Sequence, residues 1–275
     1  MRFSVSHETL YRYSVPVSLA PHLLRLDPRL DGGRLLSREL FVEPAPVLRM
    51  EEFDAHGNAL TRVEFGAPTA ELRVDSRFVI DTVAPTPHSA SAMAPLPWAF
   101  PLGDGLDAYR GQPWCDPAVA ELAEALASQA GNSPLAFLEL LNRTLHQRID
   151  NRFRLSGEAQ SAGHTLSSGR GACRDIATLF IAACRCLKLP ARFVSGYHAP
   201  PHTPTGAGDL HAWAEVGLPG IGWQGWDPSN GIPAGEGHVA LCATPDQTAS
   251  MPVEGGFFAN GVTVTLDYRV LIGTG

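Results

Sequence analysis

Six prolines between Ala84 and Trp114 divide this chain of 275 residues into two parts with different patterns. A proline fixes φ and has no backbone N–H, so prolines at this density exclude a continuous helix or a central strand. They are Pro85, Pro87, Pro95, Pro97, Pro101 and Pro113. We therefore predict a proline-stiffened connection over residues 85–114, between an N-terminal unit of residues 1–84 and a C-terminal unit of residues 115–275.

The N-terminal unit has the pattern of a β domain. Apolar residues alternate with polar ones along two segments, which is the period of half-buried strands. These residues are Phe3, Val5, Tyr11 and Tyr13 in the first segment, and Leu72, Val74, Phe78 and Ile80 in the second. Between them, residues 47–53 and 60–65 flank the turn-rich segment 54–58, as in a hairpin. With no helical period here, an antiparallel β-sandwich is the expected fold.

The C-terminal unit combines helices and strands. Asp116-Pro117 and Ser133-Pro134 each join a capping residue to a proline at the first helical position, so each predicts a helix start. A third helix is predicted over residues 173–187, and its apolar surface indicates burial. Strands are predicted over residues 191–197, 210–216, 222–227 and 262–270. The expected fold class is α+β: the N-terminal sandwich is followed along the chain by a core of helices packed on an antiparallel sheet.

Composition limits the possible partners and compartments. The net charge is −7 and charged residues make up 18%, so we expect neither nucleic acid nor a membrane surface as a partner. The N-terminus has no apolar core typical of a signal peptide. Five cysteines, an odd number without a Cys-x-x-Cys pair, argue against a disulfide framework and for the cytoplasm. On this interpretation Cys184 and Cys186 fill the core, and Cys115 and Cys242 have no predicted partner.

The odd cysteine count directs attention to Cys173. It follows two glycines, Gly169 and Gly171, and lies in the first turn of the predicted buried helix. Unpaired amides at a helix N-terminus stabilise an anion, so this position favours a thiolate and can also serve an oxyanion. By position alone, an inert core cysteine is as probable as a nucleophile.

The strands provide a candidate base and a carboxylate. His211 and Asp227 lie on two segments joined by the turn Leu218-Pro219-Gly220. If the hairpin is centred on Pro219, paired residue numbers sum to 438, and His211 stands directly opposite Asp227 on one face. A shift of the sum to 439 would place the two on opposite faces. The catalytic interpretation therefore predicts an odd-numbered loop or a bulge.

Taken together, these segments resemble the transglutaminase-like superfamily, in particular its bacterial members. The resemblance rests on Gly171-Ala172-Cys173-Arg174-Asp175, residues 189–197, His211-Ala212-Trp213, Gly222-Trp223 and residues 227–231. It implies Cys173 as nucleophile, His211 as base, Asp227 as the group that orients the base, and no metal or organic cofactor. The first strand also resembles the N-terminal domain of these bacterial proteins.

Three functions follow from this pattern. The leading hypothesis is a thiol-dependent hydrolase that cleaves amide bonds of a protein or peptide substrate through a thioester. The alternative is an enzyme that forms a thioester with a protein glutamine. It would be an acyl transferase if an amine resolves the thioester, and a deamidase if water does. A third is a non-enzymatic binding scaffold that keeps the fold.

The surroundings of the triad are less constrained. Trp213, Trp223 and His164 are candidates for a substrate cleft. Asp175 is expected to stabilise the helix dipole or to pair with Arg174 or Arg192. The spacing of His198 and His202 is that of two zinc ligands on a helix, but Pro200 and Pro201 exclude a helix there, so no metal site is expected.

Overall fold

The structure is a computed structural model that describes residues 1–84, 93–98, 105–111, 115–154 and 157–275. Much of the predicted connection 85–114 therefore lies outside the described residues. The strands are β1 (Arg2–Leu19), β2 (His22–Leu24), β3 (Gly33–Glu43), β4 (Leu48–Phe53), β5 (Ala59–Glu64), β6 (Thr69–Thr82), β7 (Asp150–Asn151), β8 (Arg170–Gly171), β9 (Ala191–His198), β10 (Gly206–Gly208), β11 (His211–Leu218), β12 (Gly222–Asp227), β13 (Ile232–Ala234), β14 (His238–Thr244), β15 (Val253–Glu254), β16 (Phe257–Phe258) and β17 (Val264–Thr274). The helices are α1 (Asp107–Arg110), α2 (Pro117–Gln129), α3 (Pro134–Arg148), α4 (Ala162–Ser168) and α5 (Cys173–Cys186).

The N-terminal residues form an antiparallel β-sandwich, which confirms the predicted architecture. One sheet has the order β10-β17-β1-β6-β3, with β16 also paired to β1, and the other has the order β15-β2-β5-β4. Side chains of both sheets, such as Phe3 and Val63, meet in one apolar cluster. The hairpin predicted on both sides of residues 54–58 is the pair β4–β5.

The last strand lies in a different place from the one that its sequence position suggests. β17 pairs with β1 over eleven residue pairs, from Phe3–Thr274 to Tyr13–Val264, so it belongs to the N-terminal sheet and not to the sheet of the C-terminal core. The alternating apolar pattern of this strand indicates only that one of its faces is buried. It does not indicate which of the two sheets the strand joins. The C-terminal segment therefore returns to the N-terminal sandwich.

The helices begin where the sequence predicts. Asp116 Oδ1 accepts a hydrogen bond from the Ala118 N–H at 3.0 Å at the start of α2, and α3 begins at Pro134. The short helix α4 was not predicted, because it occupies a serine- and glycine-rich stretch. There Ser161 Oγ accepts from the His164 N–H at 3.3 Å. None of these helices, nor any other among the described ranges, is long and apolar enough to cross a bilayer.

The core sheet has the order β13-β12-β11-β9-β14, and α5 packs against it. Alternate residues of β11 face opposite ways, as expected from their spacing. Ala212, Ala214 and Val216 lie in the cluster that contains the buried side of α5, whereas Trp213 lies in a separate cluster. His211, two residues before Trp213, begins the same strand.

The register of the β11–β12 hairpin differs from the predicted one by two residues. Pairs such as Ala214–Trp226 and Leu218–Gly222 sum to 440, so the turn is centred on Gly220, whose φ of +74° suits glycine. The loop has an odd number of residues, and a shift of two preserves the face. His211 and Asp227 are consequently diagonal neighbours on one face, and the prediction that they stand directly opposite was wrong.

The N-terminal sandwich also holds part of the core sheet in place. Asn58, fully buried, pairs with Ala243 of β14: its Oδ1 accepts from the Ala243 N–H at 2.7 Å and its Nδ2 donates to the Ala243 oxygen at 3.0 Å. His7 Nδ1 and the Tyr197 hydroxyl form a buried hydrogen bond of 2.7 Å between β1 and β9. Two strands of the core sheet are thus tied to the sandwich.

The predictions for Cys115 and Cys186, as a cysteine without a partner and a core-filling residue, were wrong. Cys115 and Cys186 form a disulfide, with 5.8 Å between their Cα atoms, that joins the segment before α2 to the end of α5. Cys173, Cys184 and Cys242 are free. An odd number of cysteines does not exclude one disulfide among them, so the cysteine count does not indicate a reducing compartment.

Candidate active site

Cys173 is the first residue of α5 and is half-buried. The residues before it are held by the parallel pair β7–β8 and by the Arg152 N–H, which donates to the Gly171 oxygen at 2.8 Å. The thiol therefore lies at the positive end of a buried helix of fourteen residues. This is the environment that the sequence predicts for a reactive cysteine.

Asp175 anchors the backbone around the thiol. Its side chain is fully buried, and its Oδ2 accepts from the Ala172 N–H at 2.7 Å. Its Oδ1 accepts from Gln160 N and from Arg154 Nη2, both at 2.8 Å. The helix-capping role agrees with the prediction, but the ion-pair partner is Arg154, not Arg174 or Arg192. Asp175 thus ties α5 to the loop in front of α4.

His211 bridges the thiol and the buried carboxylate. Its Nε2 donates to Asp227 Oδ2 at 2.7 Å, and the Cys173 side chain lies close enough to raise the pKa of the ring. Burial lowers the pKa of His211, but the hydrogen bonds and charges of Asp227 and Cys173 raise it more, to about 10. The structure therefore brings together the three residues that the sequence singled out, in an arrangement that supports a protonated imidazole beside the thiol.

Asp227 is a fully buried carboxylate with five donors around it. Oδ1 accepts from the N–H groups of Ser229 and Asn230 at 3.1 and 3.2 Å. Oδ2 accepts from His211 Nε2, from Asn230 Nδ2 at 2.7 Å and from His238 Nε2 at 3.2 Å. Burial raises the pKa of Asp227, but hydrogen bonds from the two histidines outweigh it and hold the pKa well below its usual range. The carboxylate is thus ionised and fixed in orientation.

His238 is a site residue that the sequence analysis missed. Its Nδ1 accepts from the Gly235 N–H at 3.3 Å, which leaves Nε2 protonated to donate to Asp227. Its ring centroid lies 5.0 Å from that of Trp213. Burial lowers the pKa of His238, more than its hydrogen bond to Asp227 raises it. No local motif signals this residue, because it reaches Asp227 only through the pairing of β14 with β9.

The three cleft candidates occupy different environments. Trp213 is 2% exposed, and its ring packs against the rings of His211 and His238. It therefore helps to fix the positions of the two histidines and does not line an open cleft. Trp223 lies at the other end of β12, about 13 Å along the strand from Asp227, against Tyr109 and Arg192. His164 is exposed on α4, and among the described residues no hydrogen bond or ring contact joins its side chain to the triad.

A cavity of about 580 Å³ lies on another side of α5. It is lined by residues such as Gln160, Thr178 and Arg185, together with the Cys115–Cys186 disulfide. Cys173, His211 and Asp227 are not among its lining residues. Among the described residues that line this cavity, no free cysteine lies beside a histidine and a carboxylate, so Cys173, His211 and Asp227 form the stronger candidate site.

The environments of the free cysteines predict selective alkylation. In the native, non-reduced protein, iodoacetamide is expected to modify Cys173 and to spare Cys184 and Cys242. Both of these are fully buried, and burial raises their pKa, that of Cys242 to about 12. Peptide mapping by mass spectrometry checks this. An adduct on Cys184 or Cys242 before one on Cys173 would contradict it, and unfolded protein serves as the control in which all three react.

Comparisons with known proteins agree with this architecture. Residues 121–228 match the model of the transglutaminase-like superfamily, and residues 3–81 match that of the bacterial transglutaminase-like N-terminal region. The uncharacterized protein Rv2569c of Mycobacterium tuberculosis is 29% identical over 98% of this chain and 91% of its own length. Uncharacterized protein ML0607 of Mycobacterium leprae is 27% identical over 95% of both chains.

Among solved structures, a candidate cysteine protease from Cytophaga hutchinsonii has the same fold. It matches with a TM-score of 0.70 at 20% identity, over 98% of this chain and 90% of its own. Both family models match in order along one chain, so residues 121–228 belong to the transglutaminase-like superfamily and residues 3–81 to the bacterial transglutaminase-like N-terminal region.

Proposed function

We propose that the protein is a thiol-dependent hydrolase of amide bonds in peptides or proteins. The observation that carries the proposal is the convergence of Cys173 and Asp227 on His211, with the thiol at a helix N-terminus and the carboxylate fully buried. This order of nucleophile, base and orienting carboxylate suits acyl transfer.

Each residue has a distinct role in the proposed reaction. The Cys173 thiolate attacks the amide carbonyl, and its backbone N–H at the start of α5 is placed to stabilise the oxyanion. The His211 imidazolium donates its proton to the leaving amine as the C–N bond breaks and a thioester forms. Neutral His211 then takes a proton from water, which attacks the thioester and releases the acid. Asp227 keeps His211 oriented throughout.

A labelled-amine assay separates hydrolysis from transfer to amines. The protein is incubated with peptides that contain glutamine and with a fluorescent primary amine. We expect new amino termini and no incorporated label. Incorporation of the amine would overturn the hydrolase in favour of an acyl transferase, and conversion of glutamine to glutamate without cleavage would identify a deamidase. Protein pre-treated with iodoacetamide is the control for a thiol-independent reaction.

A further inference from the structure

Two histidines besides His211, namely His198 and His238, lie close to the Asp227 carboxylate. One ligand atom each of His198, Asp227 and His238 lies within 4.8 Å of the other two. The rings of His198 and His238 are 4.5 Å apart between centroids, and His238 Nε2 is 3.2 Å from Asp227 Oδ2. Two imidazoles and a carboxylate are ligands that suit Zn²⁺ and related first-row divalent cations.

The sheet itself builds this group, so its geometry does not depend on a loop. His198 at the end of β9 and His238 at the start of β14 are directly paired residues of neighbouring strands. Asp227 ends β12, two strands away from β9, with β11 between them. Directly opposed side chains have Cβ atoms about 4.5–5.5 Å apart, close enough for both rings to reach one ion.

Little movement converts the group into a coordination site. Zn–N and Zn–O distances of about 2.0–2.2 Å in a tetrahedron place ligand atoms about 3.4 Å from one another. The His238–Asp227 separation of 3.2 Å already suits such a site. Only His198, which is partly exposed, has to move, and by at most about 1.4 Å. Three protein ligands with water in the remaining position make an open site.

The cation replaces one hydrogen bond of His238. In the metal-free protein, His238 Nε2 carries the proton that it donates to Asp227. When Nε2 binds the metal, that proton moves to Nδ1, which accepts only the long 3.3 Å contact from the Gly235 N–H. The exchange therefore needs no net loss of a proton. It costs both hydrogen bonds of the ring, the one to Asp227 and the 3.3 Å one from Gly235, and the coordination bonds of Nε2 and Oδ2 to the cation have to outweigh this loss.

We propose that His198, His238 and Asp227 form a binding site for a divalent cation of the Zn²⁺ class, and that the bound cation switches off the triad. Asp227 Oδ2 is the acceptor of both His211 and His238. A cation on this oxygen competes with the His211 N–H for it and releases the imidazole from its orienting partner. The inhibitory effect rests on the proposed function, whereas binding of the cation does not.

Binding is tested in the Cys173→Ala variant, which removes the thiol that could itself bind the metal. We use Co²⁺ as the probe, because its visible absorption reports the ligand field directly. One saturable equivalent is expected. Adding His198→Ala or His238→Ala is expected to weaken binding by more than the 10–100-fold that loss of an outer-shell partner costs. Adding His202→Ala is the matched control, since His202 is exposed in the adjacent loop, and it should leave binding unchanged.

Two results would overturn the site. The first is no saturable Co²⁺ binding by the Cys173→Ala protein. The second is unchanged binding after His198→Ala is added, provided that the circular dichroism and melting temperature of this variant match those of its parent. In the protein with Cys173 intact, Zn²⁺ should reduce turnover and a chelator should restore it. Co²⁺ binding without any turnover would refute the proposed function and keep the site. Turnover without Co²⁺ binding would refute the site alone.

Discussion

Replacing Cys173 with alanine is expected to lower kcat by about 10⁴-fold or more, the scale of losses seen when a catalytic nucleophile is removed. The reason is that no thioester can form without Sγ, although the helix N-terminus and the His211–Asp227 pair remain. Turnover of the peptides identified in the labelled-amine assay is the measurement. The free energy of unfolding should change by less than about 1 kcal/mol, because the thiol is half-buried and a single heavy atom is removed.

Cys184→Ala provides the matched control on the same helix. Cys184 is fully buried about 16 Å along α5 from Cys173, so its replacement leaves a small cavity in the core. We expect a loss of roughly 1 kcal/mol in stability and full activity. The two variants should thus show opposite effects. Activity that falls in proportion to stability in both, or an active Cys173→Ala protein, would show that Cys173 is not the nucleophile.

The proximity of His211 and Asp227 could be predicted from the sequence because it depends only on which face of the sheet each side chain occupies. The predicted register of the β11–β12 hairpin was wrong by two residues, yet His211 and Asp227 still share a face, since side chains alternate with a period of two. The position of Cys173 at a helix start is equally local. Neither feature depends on the exact position of the turn between β11 and β12. Both features indicated residues that the structure brings together.

Non-local pairings could not be predicted in this way. His238 reaches Asp227 because β14 pairs with β9, which places His238 opposite His198, and no short motif encodes that pairing. The same holds for the Cys115–Cys186 disulfide, whose residues are 71 positions apart, and for the return of β17 to the N-terminal sheet. In each case the sequence indicates a buried or reactive side chain but not the partner on which its role depends.

The convergence of two histidines on Asp227 gives that residue the second large expected effect. Asp227→Asn is expected to lower kcat by about 10⁴-fold, the cost of misorienting a catalytic histidine. An asparagine cannot accept all five hydrogen bonds of the carboxylate, because its amide NH2 group only donates, and it carries no charge to stabilise the imidazolium. The result expected is a folded protein in which the His211 ring has lost its preferred orientation.

The same variant should change the pH dependence of any residual activity. Burial lowers the pKa of His211, but Asp227 contributes strongly to raising it to about 10, so the imidazolium that protonates the leaving amine persists far above neutral pH. Without the carboxylate charge the pKa falls, and the alkaline limb of kcat/KM should move to lower pH. Profiles of the wild type and the variant, measured with the same peptide, test this shift.

A matched control separates this effect from the general cost of altering a buried carboxylate. Asp27 in the N-terminal sandwich is 5% exposed and forms an ion pair with Arg38, remote in sequence from the triad. Asp27→Asn should lower the free energy of unfolding and leave the alkaline limb in place, because the charges around His211 are unchanged. If Asp227→Asn kept the wild-type alkaline limb, or lost no more activity than Asp27→Asn, then Asp227 would not be the group that orients His211. The catalytic assignment of this buried carboxylate would have to be abandoned.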